Sequence, residues 1–256
     1  MMKTVLEKIL SPNNINIAYV KTSGKSLGGV FFHGFMSNMY GEKASCLENL
    51  FASRGHAFLS FRFDYSGCGE SHMDDPIISF DRWRSDSLHV FDKLTDGKQI
   101  LIGSSMGAWM ALMTAMKYPS RVAGLVLIAP AFDFTTKMFE ALPQQLQQRI
   151  SNNERVNIND PGGISFVTDR RFFDESKQYF VMNNSNGKID IPPEWPVRII
   201  HGIQDDTVPY RNSLAISETL ASNDVEIIYR KSGDHRMSTQ RDLHILTKVV
   251  DEFITE

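Results

Sequence analysis

The chain has 256 residues, with 27 basic and 30 acidic side chains and a net charge of -3. That balance, without any basic stripe, argues against a nucleic-acid-binding protein. The length suits one large domain with a sizeable core. Cys46 and Cys68 are the only cysteines, too few for a disulfide framework and without metal-ligand spacing. No apolar run approaches the ~20 residues that a membrane span needs. Met1 to Asn14 carries Lys3, Glu7 and Lys8 without a long apolar run, so the reading expects no signal or transit peptide. Together with free thiols, this predicts a cytoplasmic protein.

Thr4 to Leu10 and Asn16 to Lys21 read as an antiparallel pair at a sheet edge. Gly29-Val30-Phe31-Phe32 is a continuous apolar run, the mark of a buried strand. Ala44 to Arg54 has helical spacing at Leu47, Leu50 and Phe51. Ala57 to Phe63 reads as a strand, and Ser79 to Leu94 as a helix carrying Trp83, Leu88, Val90 and Phe91. Gln99 to Ile102 is a strand, and Ala108 to Tyr118 a helix ended by Pro119. Leu125 to Ile128, Val197 to Ile200 and Val225 to Tyr229 are further strands. Arg211 to Ala221 and Gln240 to Phe253 are the helices after the last two. The alternation predicts an α/β protein: a mostly parallel, eight-stranded sheet with helices on both faces.

Residues 132–196 have no place in that alternation, and ~60 residues is too long for a plain connection. A helix over Thr135 to Arg149 is expected there, followed by the stretch Ile164 to Val167 and then Arg171 to Met182. The expected organisation is one domain over 1–256, with 132–196 inserted as a small cap above the strand ends.

The chemistry centres on Gly103-Ser104-Ser105-Met106-Gly107. A Gly-x-Ser-x-Gly turn between a strand and a helix is the context of a nucleophile elbow. Its central residue is strained, and its glycines stand where side chains would clash. Ser105 would then be exposed above the sheet, and the Met106 N–H would point to where an oxyanion forms. A serine needs a base, and the base needs a carboxylate to orient it. On this kind of sheet the acid follows the serine and the histidine follows the acid.

Asp205 lies in the loop after Val197 to Ile200 and is the favoured acid; its neighbour Asp206 would point elsewhere. Asp133, just past the preceding strand, is the alternative acid. His235 follows the last strand, and Gly233 lets its loop turn back over the sheet edge. The other six histidines read as structural: His56, His72, His89 and His244 in surface-like contexts, His201 packing in its loop, and His33 in the oxyanion loop. In His33-Gly34-Phe35-Met36 the Phe35 N–H is the second oxyanion donor beside Met106. Asp64, Gly67 and Gly69 brace that loop, and Cys68 is inert. Met106, Met110, Met113 and Met116 read as core packing. Met36 and Met39 flank the oxyanion loop and are candidates for lining an apolar acyl pocket.

These residues resemble the α/β-hydrolase superfamily. More narrowly, they resemble the mitochondrial palmitoyl-protein thioesterase and acyl-glucuronide esterase family with its bacterial relatives. The similarity is carried by Gly34 to Gly41 with Lys43-Ala44, and by Phe63 to Gly67 with Gly69 and Ser71. It continues through Ile102 to Gly107, His201-Gly202 with Asp205-Asp206 and Val208-Pro209, and Arg230-Lys231 with Asp234 to Met237. It implies an α/β-hydrolase fold and a catalytic triad with Ser105 as nucleophile, Asp205 as orienter and His235 as base. Phe35 and Met106 would form the oxyanion hole. The implied activity is hydrolysis of a small-molecule or acylated-protein ester or thioester, with no cofactor and no metal. Alternatives are a carbon–carbon hydrolase or peptidase using the same residues, or a binding protein with little turnover.

Overall fold

The computed structural model describes residues 6–59, 63–159, 164–182 and 187–255. In chain order the first elements are β1 (Leu6–Leu10), β2 (Asn16–Val20), β3 (Lys25–Phe32), α1 (Glu42–Arg54), β4 (His56–Leu59) and α2 (Phe80–Leu94). β5 (Gln99–Ser104), α3 (Met106–Lys117) and β6 (Val122–Ile128) follow. An insertion holds α4 (Phe134–Ala141), α5 (Gln144–Ser151), β7 (Val156–Asn159), β8 (Ser165–Thr168) and α6 (Arg170–Lys177). β9 (Pro196–Gly202), α7 (Arg211–Thr219), β10 (Asp224–Arg230) and α8 (Gln240–Thr255) complete the chain.

Six strands form the central sheet in the order β10-β9-β6-β5-β3-β4, and every pairing in it is parallel. β5 lies between β3 and β6 and is buried along its whole length. That is why Ile100, Leu101 and Ile102 form an unbroken apolar run: a strand covered on both faces has no solvent side. One core layer gathers α2 and α3, with Trp83, Phe91, Trp109 and Leu112, over one face. The other gathers α1 and α8, with Leu47, Phe51, Leu246 and Val250, over the opposite face.

Three expectations are corrected. The sheet has six strands among the described residues, not eight. β1 and β2 form a separate antiparallel hairpin, because β1 is largely solvent-exposed along its length and presents no apolar face to the main sheet. The hairpin is tied to the chain after β4 by Asp64 N–H donating to Ala18 C=O at 3.2 Å and Ala18 N–H donating to Ser71 Oγ at 2.9 Å. The expected strands Thr4 to Leu10 and Ala57 to Phe63 are found in part; residues 4 and 5, and 60–62, lie outside the described residues.

The single helix expected over Thr135 to Arg149 is two helices. Leu142 is extended (φ -68°, ψ 149°) and Pro143 caps α5, since a residue before proline is driven out of the helical region. Of the stretch from Arg171 to Met182, α6 covers the part up to Lys177.

Main-chain bonds and aromatic rings seat the insertion on the sheet. Ile78 N–H donates to Val167 C=O at 3.0 Å, and Ser79, the N-cap of α2, donates to Glu175 Oε2 at 2.8 Å. Trp109 on α3 donates its indole N–H to Tyr179 C=O at 3.2 Å. Phe172 and Trp83 meet edge to face with centroids 5.8 Å apart. Such ring pairs add about 0.5–1.5 kcal/mol beyond their buried area.

Candidate active site

Ser105 sits between β5 and α3 with φ 57° and ψ -122°, a conformation that costs a non-glycine residue roughly 1–3 kcal/mol. Its neighbours hold it there. The Ser105 N–H donates to Ile128 C=O at 2.8 Å, and the Ser105 C=O accepts from Ala131 N–H at 3.2 Å. Both flanking glycines are demanded by backbone approach. A Cβ on Gly103 would collide with the Gly107 and Ala108 main chain, and one on Gly107 with the Phe32 and His33 carbonyls. The turn therefore packs directly on β3, and the serine hydroxyl is fixed relative to three strands.

The loop after β9 supplies Asp205, whose side chain is buried. Both carboxylate oxygens are occupied. Oδ1 accepts from Thr207 N–H at 2.9 Å and Val208 N–H at 2.7 Å. Oδ2 lies 2.7 Å from His235 Nδ1 and 2.9 Å from His201 Nε2. Burial would raise the Asp205 pKa. The donors from His201, His235 and Val208 outweigh it and hold the carboxyl well below the usual carboxylate range.

The loop after β10 supplies His235, partly open to solvent, with Nε2 3.1 Å from Ser105 Oγ. Ser105, His235 and Asp205 thus stand in one hydrogen-bonded line. The acid and histidine loops are laced by main chain. Gln204 N–H donates to Gly233 C=O and Ile203 N–H to Arg230 C=O, both at 2.9 Å. A Cβ on Gly202 would run into the Gly233 backbone. The far side of the histidine loop is held by Lys43, whose ammonium donates to the Arg236 carbonyl and to Ser238 Oγ. Burial lowers the Lys43 pKa to about 8.

Phe35 and Met36 follow β3 in the loop beside the elbow, where a Cβ on Gly34 would touch Ser105 Cβ at 3.4 Å. Met36 has φ 50°. Beneath the loop, Tyr65 Oη donates to His33 C=O at 3.2 Å, and Asp64 accepts from Met39 N–H and Glu70 N–H, each at 2.7 Å. Burial lowers the His33 pKa to about 4 and raises that of Asp64 to about 6. The Phe35 ring faces the insertion, 4.9 Å from Phe166 and 5.9 Å from Phe134 between centroids.

The remaining candidates fall elsewhere. Met39 is a correction: it is wholly buried against Ala18 and Val20 of β2 and lines no open pocket. Met36 is half-buried against the main core. Asp133, the alternative acid, accepts from Val181 N–H and Met182 N–H at 3.0 and 2.9 Å and pins the end of the insertion. Asp206 is exposed and accepts from Thr207 Oγ1 at 3.2 Å. The Cys68 thiol is buried and its pKa pushed up to about 12, so it carries no thiolate near neutral pH. Among the described residues no cluster of three His, Cys, Asp or Glu side chains could hold a metal, and no helix is long and apolar enough to cross a membrane. The sequence reads His201 as structural and names Lys43 only within the family resemblance, so neither is expected at the site. The signal for His201 is its spacing, at the end of β9 and four residues before Asp205 in the loop that follows.

Comparison with known proteins places the chain in a family. Residues 28–178 match the Hydrolase_4 family, described as serine aminopeptidase, S33. The chain is 36% identical to the Rattus norvegicus mitochondrial palmitoyl-protein thioesterase ABHD10, over 98% of this chain and 83% of that protein. Identity to the Homo sapiens protein of the same name is 35%, over 98% and 81%. The structure of mouse alpha/beta hydrolase domain-containing protein 10 superposes with a TM-score of 0.86 at 35% identity, covering 98% of both chains. A hydrolase structure from Agrobacterium vitis gives 0.88 at 29% identity, over 98% and 99%. The rat, mouse and human relatives are named as mitochondrial, which overturns the expectation of a cytoplasmic protein. Free thiols mark a reducing environment and do not choose among compartments that provide one. By sequence and by fold, the chain belongs to the α/β-hydrolase superfamily and, within it, to the family of the ABHD10 thioesterases.

Proposed function

We propose that this chain is a serine hydrolase of carboxylic esters or thioesters, working through an acyl-enzyme on Ser105. The observation that carries the reading is the line Ser105 Oγ, His235 Nε2, His235 Nδ1, Asp205 Oδ2, with separations of 3.1 and 2.7 Å. In this reading His235 takes the Ser105 proton as Oγ attacks the acyl carbonyl. The ionised Asp205 stabilises the imidazolium that forms. His235 then gives the proton to the departing alcohol or thiol, and later takes one from the water that releases the acid.

The oxyanion is assigned to the Phe35 and Met106 N–H groups. Among the described residues neither amide donates to a protein acceptor, and each flanks the serine. Losing one such donor costs about 3–4 kcal/mol of barrier. For the acyl group the reading favours an apolar chain. The insertion acts as a cap, bringing Phe134 and Phe166 against Phe35, with Met36 beside them. The naming of the relatives as palmitoyl-protein thioesterases supports the same preference.

The test is a fluorophosphonate probe followed by a graded series of p-nitrophenyl esters and acyl-thioesters. Labelling of the wild type and its loss in Ser105→Ala support the reading. An unlabelled wild type overturns it, and a steady fall in kcat/KM with chain length removes the long-acyl preference.

A further inference from the structure

We propose that His201 is a positioning residue for the carboxylate that orients His235, so that Asp205 Oδ2 is held between two imidazoles. His201 closes β9 and is fully buried. Its Nε2 is 2.9 Å from Asp205 Oδ2 and 3.1 Å from Val208 C=O. Both neighbours are acceptors, so Nε2 carries a hydrogen. Its Nδ1 is 2.7 Å from Ser213 Oγ on α7, and in the neutral ring Nδ1 accepts the Ser213 hydroxyl hydrogen. The tautomer is set from both sides.

Two consequences follow from the sharing of one oxygen. First, Asp205 receives four donors, two on each oxygen, so the carboxylate cannot rotate away from His235. Second, the His201 N–H draws charge from the oxygen that His235 faces. The imidazolium of His235 is therefore stabilised less than it would be by an unshared carboxylate. A histidine that merely filled the core would have neither effect. The other charged groups near the relay are Asp206, exposed beside Asp205; Asp234 and Arg236, exposed on either side of His235; and Lys43, bonded to the Arg236 carbonyl. None of these reaches Asp205 Oδ2 among the described residues.

The catalytic meaning of the relay rests on the proposed function, while the geometry can be tested apart from it. The experiment follows the His235 imidazole by ¹⁵N NMR across pH, alongside kcat and KM on a p-nitrophenyl ester. In His201→Phe the His235 midpoint is expected to rise by roughly 0.5–1 pH unit. kcat should fall about 10- to 100-fold with KM changed less than about threefold, the scale seen when outer-shell partners are lost. His201→Gln, whose amide can reach the position of Nε2, should restore the midpoint and most of kcat. If His201→Phe does not fold, His201→Asn keeps the contact to Ser213 and withdraws the one to Asp205, and the same rise is expected. An unchanged or lowered midpoint in the donor-less variant, or equal midpoints in the Phe and Gln variants, overturns the proposal. If the midpoint rises in His201→Phe but the wild type neither labels with fluorophosphonate nor hydrolyses esters, the proposed function is overturned and the relay stands.

Discussion

The Ser105 elbow and the insertion between β6 and β9 meet above the same strand ends, yet different forces hold them. The elbow is main chain against main chain: Ser105 to Ile128, Ala131 to Ser105, and two glycines pressed on carbonyls. The insertion is side chain against side chain: Phe166 and Phe172 on Phe35 and Trp83, with clips at Asp133 and Glu175. Backbone contacts leave no rotamer to adjust, whereas rings repack when a neighbour changes. The part that fixes an atom in place is built from the chain itself, and the part proposed to meet the acyl group is built from exchangeable side chains.

The elbow should be the less forgiving of the two. Ser105→Ala is expected to lower kcat by about 10⁴-fold or more. Gly107→Ala removes no reacting group, yet it should cost on the order of 10²-fold by displacing the serine. Steady-state hydrolysis of a p-nitrophenyl ester measures both, and a Gly107→Ala enzyme of near-normal activity would break the contrast. In the insertion, Phe166→Ala should cost about 3–5 kcal/mol in denaturant unfolding, the usual range for a buried phenylalanine. Its kcat on an acetate ester should stay within about tenfold of wild type. A collapse of kcat there as deep as at the elbow would show that the two regions act as one.

The pH dependence sharpens the contrast between loops. Asp64 titrates near 6 in the native protein because it is buried, and near 4 when unfolded. Between those values the native state binds the extra proton, so stability falls as pH rises from about 4 to 6, by roughly 2 kcal/mol. Asp205 is shifted the other way: it adds stability above pH 4 and loses it as pH drops further. Urea titrations from pH 3 to 8 should show both slopes, with Asp64→Asn reducing the first, to which buried Asp86, also raised to about 6, contributes, and Asp205→Asn reducing the second. The smallest effect is expected at the end of the insertion. Asp133→Asn keeps one acceptor for Val181 and Met182 and should cost about 1 kcal/mol. It should move KM for a long-chain ester more than for a short one.

What could be read without coordinates was local or ordered along the chain. The elbow shows because its Gly-x-Ser-x-Gly pattern lies between a strand and a helix and Gly103 answers contacts made within a few residues, and the strands beside it because they are buried on both faces. The order serine, acid, histidine brought Ser105, Asp205 and His235 into consideration together, and they stand within hydrogen-bond reach. What stayed hidden depended on distant partners. Asp133 and Asp205 both follow strands, and only the amides of Val181 and Met182, some 48 residues on, show what Asp133 binds. Met39 looked free to line a pocket because nothing in its own loop reveals that Ala18 and Val20 cover it. His201 was taken for loop packing because its second contact is to Ser213, on a helix that had no evident part in the site. The Leu142-Pro143 break was visible in the sequence, and the apolar spacing on either side masked it.

His235 and Ser105 differ in one further respect, their distance from the rim. Ser105 follows β5, flanked on both sides, while His235 follows β10, which ends the sheet with β9 as its single neighbour and a partly exposed face. Edge strands open at lower free energy than central ones. Gentle heating should therefore detach the imidazole while the hub stays intact, leaving a protein that is catalytically silent, spectroscopically native, and able to recover on cooling.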